Sequence, residues 1–106
     1  MREIEISEKE FQAQIMQLAR MRNWLCYHTY SSKRSPSGFP DLVMVRQVDV
    51  QREDGSLPEL VFAEVKSEKG KLTQEQAEWI DALTKAGVRA EVWRPSDFDR
   101  IVGILN

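Results

Sequence analysis

"VFAEVKSEKG", residues 61–70, is the stretch on which the fold turns. Val61, Phe62, Ala63 and Val65 have the apolar, β-branched and aromatic character of a buried strand, yet Glu64 and Lys66 stand among them. Successive side chains of a strand point to opposite faces, so Glu64 and Lys66 share one face and Val61, Ala63 and Val65 the other. A charge buried without a partner costs roughly several kcal/mol. This charged pair therefore needs partners from elsewhere in the chain.

The neighbouring segments supply candidates. "DLVMVRQVDV", residues 41–50, reads as a second strand, and the intervening "QREDGSLPE" carries an Asp54-Gly55 turn signal. The two strands are expected to form an antiparallel hairpin. Asp41, directly after Pro40, then comes close to Glu64 and Lys66 at one end of the sheet. Trp24 to Tyr30 reads as an aromatic-rich strand, followed by the polar, Gly/Pro-rich loop "SSKRSPSGFP" at 31–40.

Helical spacing of Phe11, Ile15, Leu18 and Arg22 predicts a first helix over about Glu8 to Arg22. Ser7 is its N-cap, and Glu10 completes a capping box. A second helix runs from Thr73 to about Ala86, where Gly87 ends it. Val88 to Trp93 is a fourth strand. Pro95-Ser96-Asp97 opens a last helix with Phe98, Ile101, Val102 and Leu105 as its buried side. The order α-β-β-β-α-β-α is that of an α/β domain with a mixed sheet.

A chain of 106 residues is expected to form one domain, 1–106. Hydrophobic and charged fractions of 42% and 30% exclude a disordered polymer. No run approaches the ~18 apolar residues of a membrane span, and the charged "MREIEISEKE" does not read as a signal peptide. The single cysteine, Cys26, has no internal disulfide partner, and no Cys/His pattern has zinc spacing. Between Leu25 and Tyr27 it reads as a packed thiol, and the chain as intracellular, in the cytoplasm. The net charge of −2 argues against a general polyanion binder. Arg20, Arg22, Lys33, Arg34 and Arg46 nevertheless face only one acid, Asp41, over residues 20–46. Lys66, Lys69 and Lys71 form a second cluster. Such local basic faces suit phosphates or are simply solvated.

Two carboxylates that converge in a partly buried place repel each other, and one pKa rises unless a cation joins them. Mg²⁺ takes oxygen ligands, typically one or two carboxylates with waters and phosphate oxygens. Lys66 beside them would hold a water or a phosphate oxygen, an arrangement suited to metal-assisted phosphodiester hydrolysis. Taken alone, Glu-x-Lys is also an edge-strand charge pair that discourages aggregation, and Pro-Asp usually marks a turn. Their combination, in order and behind a basic loop, favours a site. Glu8 continues the apolar stripe of the first helix while Glu10 points nearly the opposite way. Glu8 is thus a third acidic member of the site, or merely a favourable charge at a helix N-terminus worth ~0.3–1 kcal/mol. Gln76 shares a face with Trp79, Ile80 and Leu83, so it either bonds a site residue or closes a capping box with Thr73; doing both is expected to require movement. His28 reads as packed or surface-exposed, with a phosphate contact as the alternative. Ser32, Lys33, Arg34, Ser35 and Ser37 read as solvated loop residues or DNA-backbone contacts, and Trp24, Trp79 and Trp93 as core.

Taken together, "SEKEFQ" (7–12), "GFPDLV" (38–43), "FAEVKSEKGKLTQEQ" (62–76) and "VWRPSDFDRI" (92–101) resemble the VRR-NUC branch of the PD-(D/E)xK nuclease superfamily. The resemblance implies a restriction-endonuclease-like αβββαβ core, here with a C-terminal helix, and Mg²⁺- or Mn²⁺-dependent cleavage of DNA without a small-molecule cofactor. By position, Asp41 and Glu64 would be metal ligands and Lys66 the catalytic lysine. Glu8 would be the first-helix acid at the metal, Gln76 the glutamine of the following helix, and the Val65 carbonyl a further metal ligand. Lys33, Arg34, Ser35, Lys69 and Lys71 would contact DNA. Stand-alone members, of bacteriophage and bacterial type, are similar to Holliday-junction resolvases and are expected to act as homodimers on branched DNA. A phage-encoded copy would work in its host's cytoplasm. Two competing readings are a catalytically silent nuclease-like module that binds DNA or a protein, and an RNA-processing enzyme.

Overall fold

The Ser7 hydroxyl accepts the Glu10 N–H at 3.1 Å and starts α1, Glu8–Met21. Among the described residues the reciprocal half of the expected capping box does not form, and the exposed Glu10 instead lines a surface cleft. The computed structural model describes residues 5–30, 35–47 and 59–106. The Asp54-Gly55 turn and the end of the strand expected over 41–50 lie outside them. α1 buries Phe11, Ile15, Met16 and Ala19, with Leu18 at the margin of that face. Asn23, at φ 69°, turns the chain out of the helix, a conformation its short polar side chain tolerates.

Four strands follow in chain order: β1 (Trp24–His28), β2 (Leu42–Arg46), β3 (Leu60–Val65) and, after α2 (Gln74–Lys85), β4 (Arg89–Trp93). Their order in the sheet is β1-β2-β3-β4. β1 with β2 and β2 with β3 are antiparallel, whereas β3 and β4 are parallel, joined by the α2 crossover. A single 3₁₀ turn, Pro95–Asp97, leads into α3, Phe98–Leu105. This is the α/β architecture with a mixed sheet that the sequence predicts.

One sheet face carries Trp24, Leu42, Met44, Val61, Ala63, Val65 and Trp93, all buried against α1 and against Ile101 and Leu105 of α3. Trp24 Nε1–H donates to the Leu105 carbonyl at 3.0 Å. The Arg46 guanidinium lies 4.5 Å over the Trp24 ring, pairs with Glu59 at 3.3 Å and donates to the Asn106 carbonyl at 3.1 Å. Arg46 is therefore committed to holding the end of α3, which removes it from the basic face read in the sequence. Phe98 likewise leaves the expected buried side and lines the surface cleft with Phe11 and Pro95. Burial raises the Cys26 thiol pKa against the smaller opposing pull of Arg20, as suits a packing residue rather than a nucleophile.

The opposite face is thinner. α2 buries no residue completely, and Trp79 remains 36% exposed rather than joining the core. It packs edge-on against Phe39 at 5.0 Å, and Phe39 meets Phe62 of β3 at 6.1 Å. Beyond α2, the register aligns Leu25 with Val45 and Val45 with Leu60, leaving a row of exposed apolar side chains across β1–β3.

The 35–40 loop delivers Asp41 to the sheet end. Gly38 has φ +98°, and a Cβ there would lie 2.6 Å from the Glu75 backbone at the start of α2. Only glycine permits both this conformation and this approach. Thr29 then grips the exit, its hydroxyl donating to the Pro40 carbonyl at 2.8 Å and its N–H to the Asp41 carbonyl at 2.8 Å. Among the described residues, no helix is long and apolar enough to cross a membrane. Gly38→Ala is expected to lower the unfolding free energy by at least ~1–2 kcal/mol, the cost of a left-handed backbone with a Cβ, plus the clash. Urea unfolding measures this; an unchanged midpoint would contradict the close approach.

Candidate metal-binding and catalytic site

The register of the hairpin creates the site. β2 begins at Leu42, opposite Ala63, so Glu64 and Val65 run on beyond their antiparallel partner. On the other edge β4 continues, and the Lys66 N–H donates to the Trp93 carbonyl at 3.0 Å. Backbone groups of successive strand residues face opposite edges, so the N–H and carbonyl of Val65 face the edge that β2 has left. Asp41 fills that edge: its Oδ2 accepts the Val65 N–H at 2.8 Å. The Val65 carbonyl lies along the same edge.

Glu64 is 1% exposed and points toward α2. Its Oε1 accepts from Gln76 Nε2 at 3.0 Å and lies 3.9 Å from Lys66 Nζ. Its Oε2 is buried without a hydrogen-bond partner among the described residues. Gln76 also closes the α2 capping box, its Oε1 accepting the Thr73 N–H at 2.9 Å while its own N–H donates to the Thr73 hydroxyl at 3.1 Å. The expectation that one side chain would have to move between these roles is corrected. An amide has a separate acceptor and donor end, and Gln76 uses both at once.

Burial, foremost, pushes the Glu64 pKa up to about 9; the neighbouring Asp41 carboxyl and, more weakly, the Glu8 charge add to it, and only Lys66 pulls it down. Glu64 is thereby inclined to hold a proton, and a cation beside the two carboxyl groups would relieve the same strain. Lys66 is 8% exposed and is too far from Glu64 for a tight pair. Glu8, the first residue of α1, is exposed and acts on Glu64 through its charge. Among the described residues no three His, Cys, Asp or Glu side chains gather to hold a metal ion. The site therefore offers two carboxylates and a backbone edge. The unpartnered Glu64 oxygen and a donor set made wholly of oxygen fit a hard cation such as Mg²⁺ or Mn²⁺.

Lys69 and Lys71 are exposed just beyond Lys66, and Ser35 is exposed in the loop before Gly38. Ser32, Lys33 and Arg34 lie outside the described residues. His28 is half-buried, its ring centroid 4.3 Å from that of Tyr30. Sequence reasoning missed Thr29, which pins Asp41, and Arg94. Arg94 Nη1 donates to the carbonyls of Ser67, Glu68 and Gly70 at 2.8, 3.2 and 2.6 Å. Its signal was a lone cation at a strand end, before the proline of "WRPSD".

Residues 4–97 match the family model described as the VRR-NUC domain. Among solved structures, the fold is similar to that of a "VRR_NUC domain protein", with a TM-score of 0.64 and 20% identity over 96% of this chain and 87% of that one. No curated protein matches the chain.

The raised Glu64 pKa has a consequence for stability. The folded chain holds this proton from the usual value of 4.5 up to about 9, whereas the unfolded chain releases it near 4.5. The contribution is complete below the unfolded value and is lost as pH climbs toward the folded one. The thermal midpoint of metal-free protein is expected to fall from about pH 6 to about pH 9, and Mn²⁺ to raise it by an increment that grows with pH. Glu64→Gln should flatten both trends; pH profiles of melting that match wild type would contradict this picture.

Proposed function

The chain belongs to the VRR-NUC domain family, a family of nuclease-type domains, and on that premise we propose that it is a Mg²⁺- or Mn²⁺-dependent endonuclease hydrolysing DNA phosphodiester bonds. The observation that supports this most is the buried, unpartnered Glu64 oxygen beside Asp41, Lys66 and Gln76. Asp41, Glu64 and the Val65 carbonyl would hold the ion, with Glu8 acting from the end of α1. When bound, the ion supplies Lewis-acid charge for the phosphoryl oxygen and acidity for the attacking water.

The chain's own side chains do the rest. Gln76 fixes the rotamer of Glu64 and leaves Oε2 free to bind. Lys66, desolvated and tethered only loosely to Glu64, orients the attacking water and offsets charge developing on the phosphorus oxygens. Lys69, Lys71 and Ser35, together with Lys33 and Arg34, follow the DNA backbone, so binding weakens steeply with salt. Branched DNA of the Holliday-junction type is the proposed substrate, and the cytoplasm the proposed place of action. A homodimer supplies the second site that symmetric two-strand cutting needs. The exposed Leu25, Tyr27, Val45 and Leu60 on the open part of the sheet give a second copy an apolar surface.

The test sets four-way junction, linear duplex, single-stranded DNA and RNA against purified protein, with and without Mn²⁺. Metal-dependent cutting of DNA, strongest on the junction, is expected. Binding without cutting would leave a silent DNA-binding module, and cutting of RNA alone would reassign the substrate. Lys66→Ala is expected to fold and bind DNA but to lose on the order of 10²-fold or more in cleavage. Undiminished cutting would remove Lys66 from the mechanism.

A further inference from the structure

The "RPSD" segment that follows β4 has no part in the site as built above, yet the Arg94 guanidinium and the Ser96 N–H both bind the turn that follows Lys66. Arg94 lays one guanidinium nitrogen against three carbonyls of that turn, those of Ser67, Glu68 and Gly70, at 2.8, 3.2 and 2.6 Å. The Ser96 N–H donates to Glu68 Oε2 at 2.9 Å. Asp97 holds Arg94 itself, its Oδ2 accepting the Arg94 N–H at 2.9 Å and its own N–H donating to the Arg94 carbonyl at 2.8 Å. The turn is also tight: the Gly70 N–H reaches the Ser67 carbonyl at 3.1 Å, and a Cβ on Gly70 would lie 2.9 Å from the Ser67 hydroxyl oxygen.

Carbonyls brought together in this way repel one another unless a donor sits between them. Arginine provides several N–H groups in a fixed plane with little hydration to lose, which lysine does not. Among the described residues the guanidinium has no ion-paired carboxylate of its own; the Glu68 carboxylate accepts from Ser96. A cation that spends its donors on backbone carbonyls sets backbone geometry. At one end of the turn stands Lys66, anchored by its N–H on Trp93, the residue before Arg94. Lys69 lies within the turn and Lys71 just past it, both exposed.

We propose that Arg94 is a positioning residue. Its clamp on residues 67–70 fixes the spacing between Lys66, which handles the attacking water, and Lys69 and Lys71, which grip the DNA backbone. This role rests on the nuclease reading of the site. Arg94 touches neither ion nor DNA in it. Misplacing a reacting group by about 1 Å costs on the order of 10²-fold in rate, so the clamp acts on turnover rather than on metal binding.

The experiment compares full-length wild type with Arg94→Gln and Arg94→Lys by amide hydrogen exchange, Mn²⁺ titration calorimetry and cleavage kinetics. Both variants are expected to exchange at least about tenfold faster at residues 67–71 while α1 and β1–β2 keep their protection, because the lost donors are local. Mn²⁺ affinity is expected to stay within about twofold. Turnover is expected to fall at least about tenfold with KM for DNA little changed. Arg94→Lys, which keeps the charge but not the planar fork, is expected to recover little. Wild-type exchange in the turn, protection lost evenly over the whole sheet, unchanged turnover, or a rise in KM alone would each overturn the proposal, as would failure of both variants to fold. Wild-type protein that cuts no DNA contradicts the nuclease reading, not the clamp, which the exchange pattern then decides alone.

Discussion

Asp41 accepts the Val65 N–H at 2.8 Å, at the point where β2 has ended and β3 has not. A strand that outruns its neighbour leaves backbone donors and acceptors facing an open edge, and a buried one must be satisfied. A side-chain carboxylate does this here in place of a third backbone partner. The same bond brings Asp41 against Glu64, because Glu64 is the residue before Val65. Gly38, Thr29 and Phe39 all serve to deliver Asp41 to this position. The parallel partner β4 keeps the other edge of β3 paired, so the sheet stays whole while one corner of it opens.

What gathers at that corner is unfavourable by itself. Two carboxyl groups approach in a desolvated place, with one loosely placed lysine and a glutamine that is half occupied with capping a helix. The chain tolerates this arrangement without metal by keeping a proton there, which a divalent ion would displace. On the proposed reading, folding and ion binding are linked through this one group. A stable fold would be easier to build with an apolar residue at position 64, and stability forgone in this way is what the proposed function of the corner accounts for.

The arrangement of strands and helices was legible in the sequence because local signals agreed: a hairpin around a turn signal, a capped helix ended by Gly87, and an apolar stripe on α1. Asp41, Glu64, Lys66 and Gln76 were legible because charge in a buried strand and an inward polar residue on a helix both ask for a partner. The misreadings came where a side chain's role depends on something distant in sequence. Arg46 reads as one of a group of cations, yet it is bound to the last residues of the chain. Trp79 has the size of a core residue, but α2 lies on the thin face of the sheet. Glu8, by contrast, is exposed at the end of α1 yet acts on Glu64 through its charge. Arg94 gave only the signal of a lone cation at a strand end, since three carbonyl acceptors leave no imprint on side-chain composition.

The central claim is that Glu64, beside Asp41, holds a proton where a divalent cation binds. Titration calorimetry of Mn²⁺ into the protein at about pH 7.5, repeated in buffers of different ionisation enthalpy, measures this directly. Saturable binding with release of about one proton per ion is expected, and Asp41→Asn is expected to lose both. Binding without proton release, or binding that Asp41→Asn leaves intact, would contradict it.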